Sequence, residues 1–222
     1  MDNKFEAEIE KAKKDIISMS KCGFHTFFCP VRHNEFISTT YTKRAVHQLQ
    51  TIAKKSLNYN ECGKISLNFV PKIFLSREAP YIKNLSSLAY GKTNYIFLEL
   101  PIDASPDHVP EALNKILYNC KLIPIFTDFQ LYSLLYDPIE IDKMIRIKGS
   151  AFQFGLKTIC EPQNLHLIKK IIKQGNTVLL GTGCKRESLN IRELSHNLNS
   201  FRNAVSDSVF REIVVNAKKL LN

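Results

Sequence analysis

The stretch TVLLGTGCKRE, residues 177–187, joins an apolar run to a glycine turn and two cations. The members able to do chemistry are Gly181, Thr182, Gly183, Lys185 and Arg186. Backbone N–H groups of such a turn can cradle an anion, lysine supplies a point charge, and arginine can grip a phosphate through two parallel hydrogen bonds. The pattern therefore indicates a place that holds phosphate or a similar anion.

The standard phosphate and active-site motifs do not fit this stretch. No G-x-x-x-x-G-K-[ST] loop occurs in the chain, and a G-x-G-x-x-G fingerprint would need glycine where Arg186 stands. A cysteine phosphatase loop that starts at Cys184 would need arginine where Asn190 stands. G-x-S-x-G and H-E-x-x-H are also absent. The turn is therefore not a familiar catalytic loop.

Composition narrows the class of protein. The chain has 222 residues, which suits one domain spanning 1–222. No apolar run approaches the ~18 residues of a membrane span, and the charged N-terminus is not a signal peptide. We therefore expect a cytoplasmic protein with no membrane partner. Its six cysteines include no C-x-x-C pair, so we expect reduced thiols rather than a zinc knuckle.

The net charge of +10 raises the question of nucleic acid. However, the lysines and arginines are spread along the chain, and no run of four or more basic residues occurs. A solvated basic surface is the better interpretation, and we do not expect a nucleic-acid partner. A basic nucleic-acid or polyanion-binding protein stays an alternative, which a steep loss of binding with added salt would reveal.

The hydrophobic pattern alternates between short apolar runs and amphipathic helices. We predict strands over residues 25–31, 64–75, 94–100, 122–126, 151–156 and 177–180. We predict helices over residues 5–19, 39–55, 109–118, 137–149 and 165–173, and two more at the C-terminus. This order is typical of βα units, so the fold class is α/β with a parallel sheet and outer helices.

Polar residues recur where the predicted strands end, which is where α/β barrels place their active sites. The candidates are Cys29, His33, Lys72, Asp128 and Thr158, followed by the cations of the opening stretch. The plainer interpretation is that they are ordinary loop residues, since any barrel must place polar groups there.

Four stretches carry a resemblance to a known family: SKCGFHTFFCPV, NYIFLELP, KLIPIF and IIKQGNTVLLGTGC. In their order along the chain they resemble the polymerase and histidinol phosphatase (PHP) superfamily. Within it, the chain is most similar to the bacterial metal-dependent tyrosine phosphatases linked to capsule and exopolysaccharide synthesis. The resemblance implies a distorted (β/α)7 barrel. It also implies divalent metals, such as Mn²⁺, held by histidines and carboxylates that activate water against a phosphate ester.

The resemblance departs from the family at its metal ligands. The chain begins at the helix after the strand that carries H-x-H, so we expect a barrel that lacks its first strand. The family's other motifs fall on Cys29-Pro30-Val31, on Lys72, on residues 128–131 and on residues 183–185. A protonated lysine has no lone pair for a metal and repels it. Only His33 and Asp128 remain as residual metal candidates, and we expect no metal and no other cofactor.

The sequence therefore predicts a catalytically degenerate phosphatase-like protein that binds or scaffolds without hydrolysis. Its predicted anion pocket comprises Lys72, Lys185 and Arg186 with the turn at Gly181, Thr182 and Gly183. The expected partner is a phosphorylated small molecule or a protein. We expect the open barrel edge to be covered by the helix over residues 5–19, by a loop or by a second copy of the chain. The alternative is an active metal-dependent tyrosine phosphatase or other phosphoesterase with an atypical site, using Mn²⁺ or a similar metal.

Overall fold

The structure, a computed structural model, describes residues 3–33, 36–56, 65–102, 107–181 and 190–221. The strands are β1 Thr26–His33, β2 Ser66–Phe74, β3 Tyr95–Glu99, β4 Ile123–Phe126, β5 Ala151–Gly155 and β6 Thr177–Gly181. The helices are α1 Asn3–Lys21, α2 Thr39–Ser56, α3 His108–Asn114, α4 Phe129–Leu135, α5 Pro138–Ile145, α6 Pro162–Lys173, α7 Ile191–Val205 and α8 Asp207–Leu221. A π-helical turn, Lys115–Asn119, continues α3. None of these helices is long and apolar enough to span a lipid bilayer.

The six strands form one parallel sheet in chain order, β1-β2-β3-β4-β5-β6, which curls into a half-barrel with flanking helices. The predicted α/β fold is confirmed. One register row crosses the helix-covered face and supplies one residue from each of β2 to β6: Ile73, Leu98, Phe126, Phe152 and Val178. Each of them is at most 1% exposed. Burial of such side chains contributes roughly 1.5–3 kcal/mol apiece, so this row anchors the sheet to its helices.

The concave face carries a second, smaller core. Val70, Phe97, Ile125 and Ala151 form it, and the Phe28 ring stacks on Phe97 with centroids 5.6 Å apart. Because both faces of the central strands are apolar, their sequences are continuous hydrophobic runs, as is usual for buried parallel strands. Polar groups are therefore concentrated where the strands end.

Pro71 does not interrupt β2, although a proline lacks the N–H that a ladder needs. The Leu75 N–H donates to the Glu99 carbonyl at 2.8 Å. Four residues back along both strands, the equivalent ladder bond would run from the nitrogen of Pro71 to the Tyr95 carbonyl, but this carbonyl accepts from the Tyr90 N–H at 2.8 Å instead. A loop donor thus replaces the missing ladder bond, and strand pairing with β3 begins only after the proline.

The sheet is open among the residues that the structure describes: β1 pairs only with β2, and β6 pairs only with β5. We expected α1, a loop or a second subunit to cover the opening. The C-terminal helix α8 packs against β6, whereas α1 packs against α7. Cover of the edge by a second copy of the chain stays a prediction.

Candidate functional site at the carboxyl edge of the sheet

Five polar residues meet where β1 to β4 end, and we call them the edge cluster: Arg32, Lys72, Glu99, Asp128 and Tyr132. Arg32 and Lys72 are register partners on β1 and β2, and Glu99 is the last residue of β3. Asp128 follows β4, and Tyr132 lies one turn later in α4. Because the carboxyl ends of parallel strands share one edge, the fold itself brings these groups together.

Glu99 is engaged by two cations. Its Oε2 lies 2.8 Å from Lys72 Nζ, and its Oε1 lies 3.4 Å from Arg32 Nη2. The side chains of Lys72 and Glu99 are 17% and 24% exposed, so this pair is largely screened from water. Arg32 is more exposed, and its guanidinium lies 5.2 Å from the centre of the Phe74 ring. The cluster therefore holds a carboxylate of its own chain between two positive charges.

Tyr132 is a buried phenol, 2% exposed. Burial raises the pKa of its hydroxyl far above the usual value, and the negative charges of Glu99 and Asp128 raise it further. A backbone hydrogen bond with Leu100 and the charge of Arg32 act in the opposite direction without cancelling the rise. The hydroxyl is therefore neutral at physiological pH and available to donate a hydrogen bond.

The raised pKa of Tyr132 predicts a loss of stability in alkali. The unfolded tyrosine loses its proton above pH ~10, while the folded one keeps it, so the folded state binds more protons there. Stability is unaffected below that pH and falls as the pH rises above it. We expect the melting temperature of Tyr132→Phe to fall less steeply in this alkaline range than that of the wild type. Identical slopes for the two proteins would contradict the assignment.

Asp128 has an unusual backbone. Its φ of 52° and ψ of 41° are left-handed, and its side chain makes no capping bond to α4. The Gln153 side chain fixes it, because Gln153 Oε1 accepts from the Asp128 N–H at 2.9 Å. Non-glycine residues in this region are strained and persist where their surroundings hold them. Asp128 is therefore positioned by β5 rather than by its own helix.

Gly181 makes room for that contact. A Cβ at this position would lie 2.1 Å from Gln153 Nε2 and 2.8 Å from its Cδ. Gly181, which was predicted to lie in an anion-binding turn, is the last residue of β6 in the structure, and its carbonyl accepts from the Leu156 N–H at 2.8 Å. The rest of the predicted turn and its cations lie outside the described residues: Thr182, Gly183, Lys185 and Arg186. The anion pocket that includes them stays a prediction.

His33 lies on the other face of the sheet. It is fully buried, its Nδ1 is 2.7 Å from Thr42 Oγ1 on α2, and it is the register partner of Ile73 in the helix-covered row. Gln153, which holds Asp128, is instead two residues from Ala151 of the concave core. The structure thus does not bring the two residual metal candidates, His33 and Asp128, to the same face.

The described residues do not fit the metal cluster that the family resemblance implies. Across those ranges, no group of three or more histidine, cysteine, aspartate or glutamate side chains is arranged to hold a metal ion. Glu99 is committed to Lys72 and Arg32. A cation must be displaced before this carboxylate could ligate a metal, so we derive no reaction step through one.

Comparisons with known proteins agree with this architecture. No protein-family model and no curated protein matches the chain. A chain from the crystal structures of YwqE from Bacillus subtilis and CpsB from Streptococcus pneumoniae, unique metal-dependent tyrosine phosphatases, matches with a TM-score of 0.63. This chain has the same fold. The match covers 95% of this chain and 87% of that one at 15% identity. At this identity it confirms the resemblance in fold, and the phosphatase activity is a property of those proteins only.

Sequence reasoning found two members of the edge cluster, Lys72 and Asp128, and missed the other three. Glu99 carried a usable signal, because it is the one charged residue in the apolar stretch NYIFLEL. Arg32 follows a strand that was predicted to end one residue earlier. Tyr132 had no signal, since it lies in residues 129–135, whose helix was not predicted.

Proposed function

We propose that this chain is a non-hydrolytic binding protein on a phosphatase fold, and that its edge cluster takes phosphate or a phosphorylated ligand at Lys72 and Arg32. One observation carries the proposal: the Glu99 carboxylate already occupies the space between these cations, at 2.8 Å and 3.4 Å. The cluster therefore has the form of an anion site that is filled from within.

An incoming phosphate would compete with Glu99 for both cations. Arginine can bind phosphate through two parallel hydrogen bonds, and lysine binds it as a point charge. The same proposal includes Lys185 and Arg186, which would add two more positive charges to the anion site. Hydrolysis is not expected, because the cluster presents lysine where a metal would need a negatively charged ligand.

The setting implied by the family resemblance belongs to the same proposal. In this setting the chain is a bacterial, cytoplasmic protein that binds or scaffolds a phosphorylated component of capsule or exopolysaccharide synthesis. The fold match to metal-dependent tyrosine phosphatases from two bacteria supports a bacterial origin, and the rest of this setting rests on the family resemblance.

The binding half of the proposal is tested by removing Lys72. We expect Lys72→Ala to bind inorganic phosphate and phosphotyrosine at least tenfold more weakly than the wild type, which corresponds to about 1.4 kcal/mol. Isothermal titration calorimetry measures both affinities. Lys143→Ala is the matched control, because Lys143 also pairs with a glutamate, Glu140, but lies outside the edge cluster. Equal affinities for Lys72→Ala and the wild type would refute the assignment.

An active metal-dependent phosphoesterase is the second candidate. The fold match favours it, and so does the Asp128 carboxylate, which is not used as a helix cap. Such an enzyme would require Glu99 to leave Lys72 before it could bind a metal. Metal-stimulated turnover separates the two candidates.

A further inference from the structure

Helix α2 is rich in positive charge and contains no acidic residue of its own. Between Phe36 and Ser56 there is no aspartate or glutamate, although α2 holds four exposed cations. They are Lys43, Arg44, Lys54 and Lys55. Most exposed helices mix both signs, so a one-sign helix marks an attraction to anions.

The orientation of α2 is fixed by a side chain on its inner face. Gln50 donates through Nε2 to the Leu67 carbonyl at 2.5 Å and accepts through Oε1 from the Phe69 N–H at 3.1 Å. Thr42, on the same inner face, is 2% exposed. The helix is thus bound to β2, and its opposite face is held toward solvent.

The outward face of α2 combines apolar and basic side chains. Tyr41, Arg44, Gln48, Ile52 and Lys55 recur every three or four residues and therefore share one side of the helix. Tyr41 is 66% exposed and Ile52 is 45% exposed. Phe36, just before the helix, is also strongly exposed. Exposed aromatic and aliphatic groups among cations are the pattern of a helix that lies in a lipid interface.

We propose that the outward face of α2 docks this protein on an anionic lipid bilayer. Arg44 and Lys55 contact lipid phosphates, and Tyr41 and Ile52 enter the headgroup region. The long stems of the two cations can lie along the apolar surface while their charges reach the phosphates. This is binding along a membrane surface, which needs no spanning helix. It departs from the expectation of no membrane partner, and it does not depend on the edge cluster.

Charge and chemistry favour a bilayer over two other occupants. A second copy docked face to face would bring the same cations together and be repelled. A nucleic acid would take the cations but would leave Ile52 without a role, since its contacts at a helix surface are mainly to phosphate. An anionic bilayer satisfies both kinds of side chain at once.

The test is co-sedimentation of the whole chain with vesicles of mixed phosphatidylglycerol and phosphatidylcholine, and with vesicles of phosphatidylcholine alone. A cation near an anionic surface is worth about 1 kcal/mol, or roughly fivefold in affinity. We therefore expect Arg44→Gln/Lys55→Gln to lose about 25-fold. We expect Tyr41→Ser/Ile52→Ser to lose at least tenfold, since two apolar groups leave the interface.

The controls come from α8, which has exposed Val214 and Val215 and the exposed cations Arg211, Lys218 and Lys219, but also contains Asp207 and Glu212. Val214→Ser/Val215→Ser and Lys218→Gln/Lys219→Gln should bind vesicles like the wild type. Thermal melts show which variants are folded. If Tyr41→Ser/Ile52→Ser is unfolded, Arg44→Gln/Lys55→Gln still tests the proposal, because both of its substitutions are at exposed positions. Wild-type binding only to the anionic vesicles, lost in the α2 variants alone, supports the proposal.

Three results would overturn it: no vesicle binding by the wild type, equal losses in the α2 and α8 variants, or equal binding to both kinds of vesicle. A fourth assigns the surface to nucleic acid instead. In that case a short RNA duplex would compete with the vesicles and bind Tyr41→Ser/Ile52→Ser as tightly as the wild type.

Discussion

Gly181→Ala is expected to destabilise the protein by about 1–3 kcal/mol, as overpacking of a filled site does. The added methyl would lie 2.1 Å from Gln153 Nε2 and 2.8 Å from Cδ, so the whole end of the Gln153 side chain must move. That movement breaks the bond from the Asp128 N–H to Gln153 Oε1. Chemical denaturation measures the change in the free energy of unfolding.

The control for Gly181→Ala is the same change made after Gln153→Ala. With the Gln153 side chain gone, alanine at 181 meets no clash, and loss of chain freedom in the unfolded state makes it neutral to about 1 kcal/mol stabilising. The effect of the methyl group should therefore disappear or reverse in sign between the two backgrounds. The same cost in both backgrounds would show that the contact with Gln153 is not the cause.

Glu99→Gln is expected to tighten phosphate binding at least tenfold. The change keeps the shape of the side chain but removes the charge that competes for Lys72 and Arg32. A charge-assisted hydrogen bond is worth about 1.5–3 kcal/mol, so freeing even one cation exceeds the ~1.4 kcal/mol of a tenfold change. Calorimetric titration with inorganic phosphate measures the gain.

Glu140→Gln is the matched control for Glu99→Gln. The Glu140 side chain is also 24% exposed and also pairs with a lysine, Lys143, at 2.7 Å. It lies in α5, away from the edge cluster, so its loss should leave phosphate affinity unchanged. Weaker or unchanged binding by Glu99→Gln would show that Glu99 does not compete with a ligand.

Much of the fold could be predicted from the sequence because its signals are local. The six apolar runs correspond to the six strands within about three residues at each end. The start of α5 is an example: an Asp-Pro pair is a local signal for a helix start, and in the structure the Asp137 side chain accepts from the Ile139 N–H at 2.7 Å while Pro138 is the first helical residue. Periodicity and capping residues depend only on residues that are close in sequence, so they are enough to predict these strands and helices.

Other features depend on contacts between distant residues. The seven-residue helix α4 is shorter than the window over which a helical period can be recognised, and it starts from the left-handed Asp128. The end of the predicted helix 109–118 is π-helical after Lys115. Neither feature has a sequence pattern of its own.

The candidate site was predictable only in part for the same reason. That strand ends would gather polar groups follows from the fold class. That Lys72 would pair with Glu99 follows from the register of β2 against β3, in which Phe74 is opposite Glu99. The close approach of the Gln153 side chain to Gly181 likewise follows from the register of β5 against β6, in which Gly155 is opposite Gly181. Sequence spacing does not set these registers without the assembled sheet.

The central claim is that the edge cluster binds without hydrolysing. Its most direct test is the rate of aryl phosphate hydrolysis by the purified wild type, with and without added Mn²⁺, beside Asp128→Asn. Because Lys72 and Arg32 hold Glu99, we predict the same background rate in all samples. Turnover that rises with Mn²⁺ in the wild type and falls in Asp128→Asn would contradict the account and identify an active metal-dependent phosphatase.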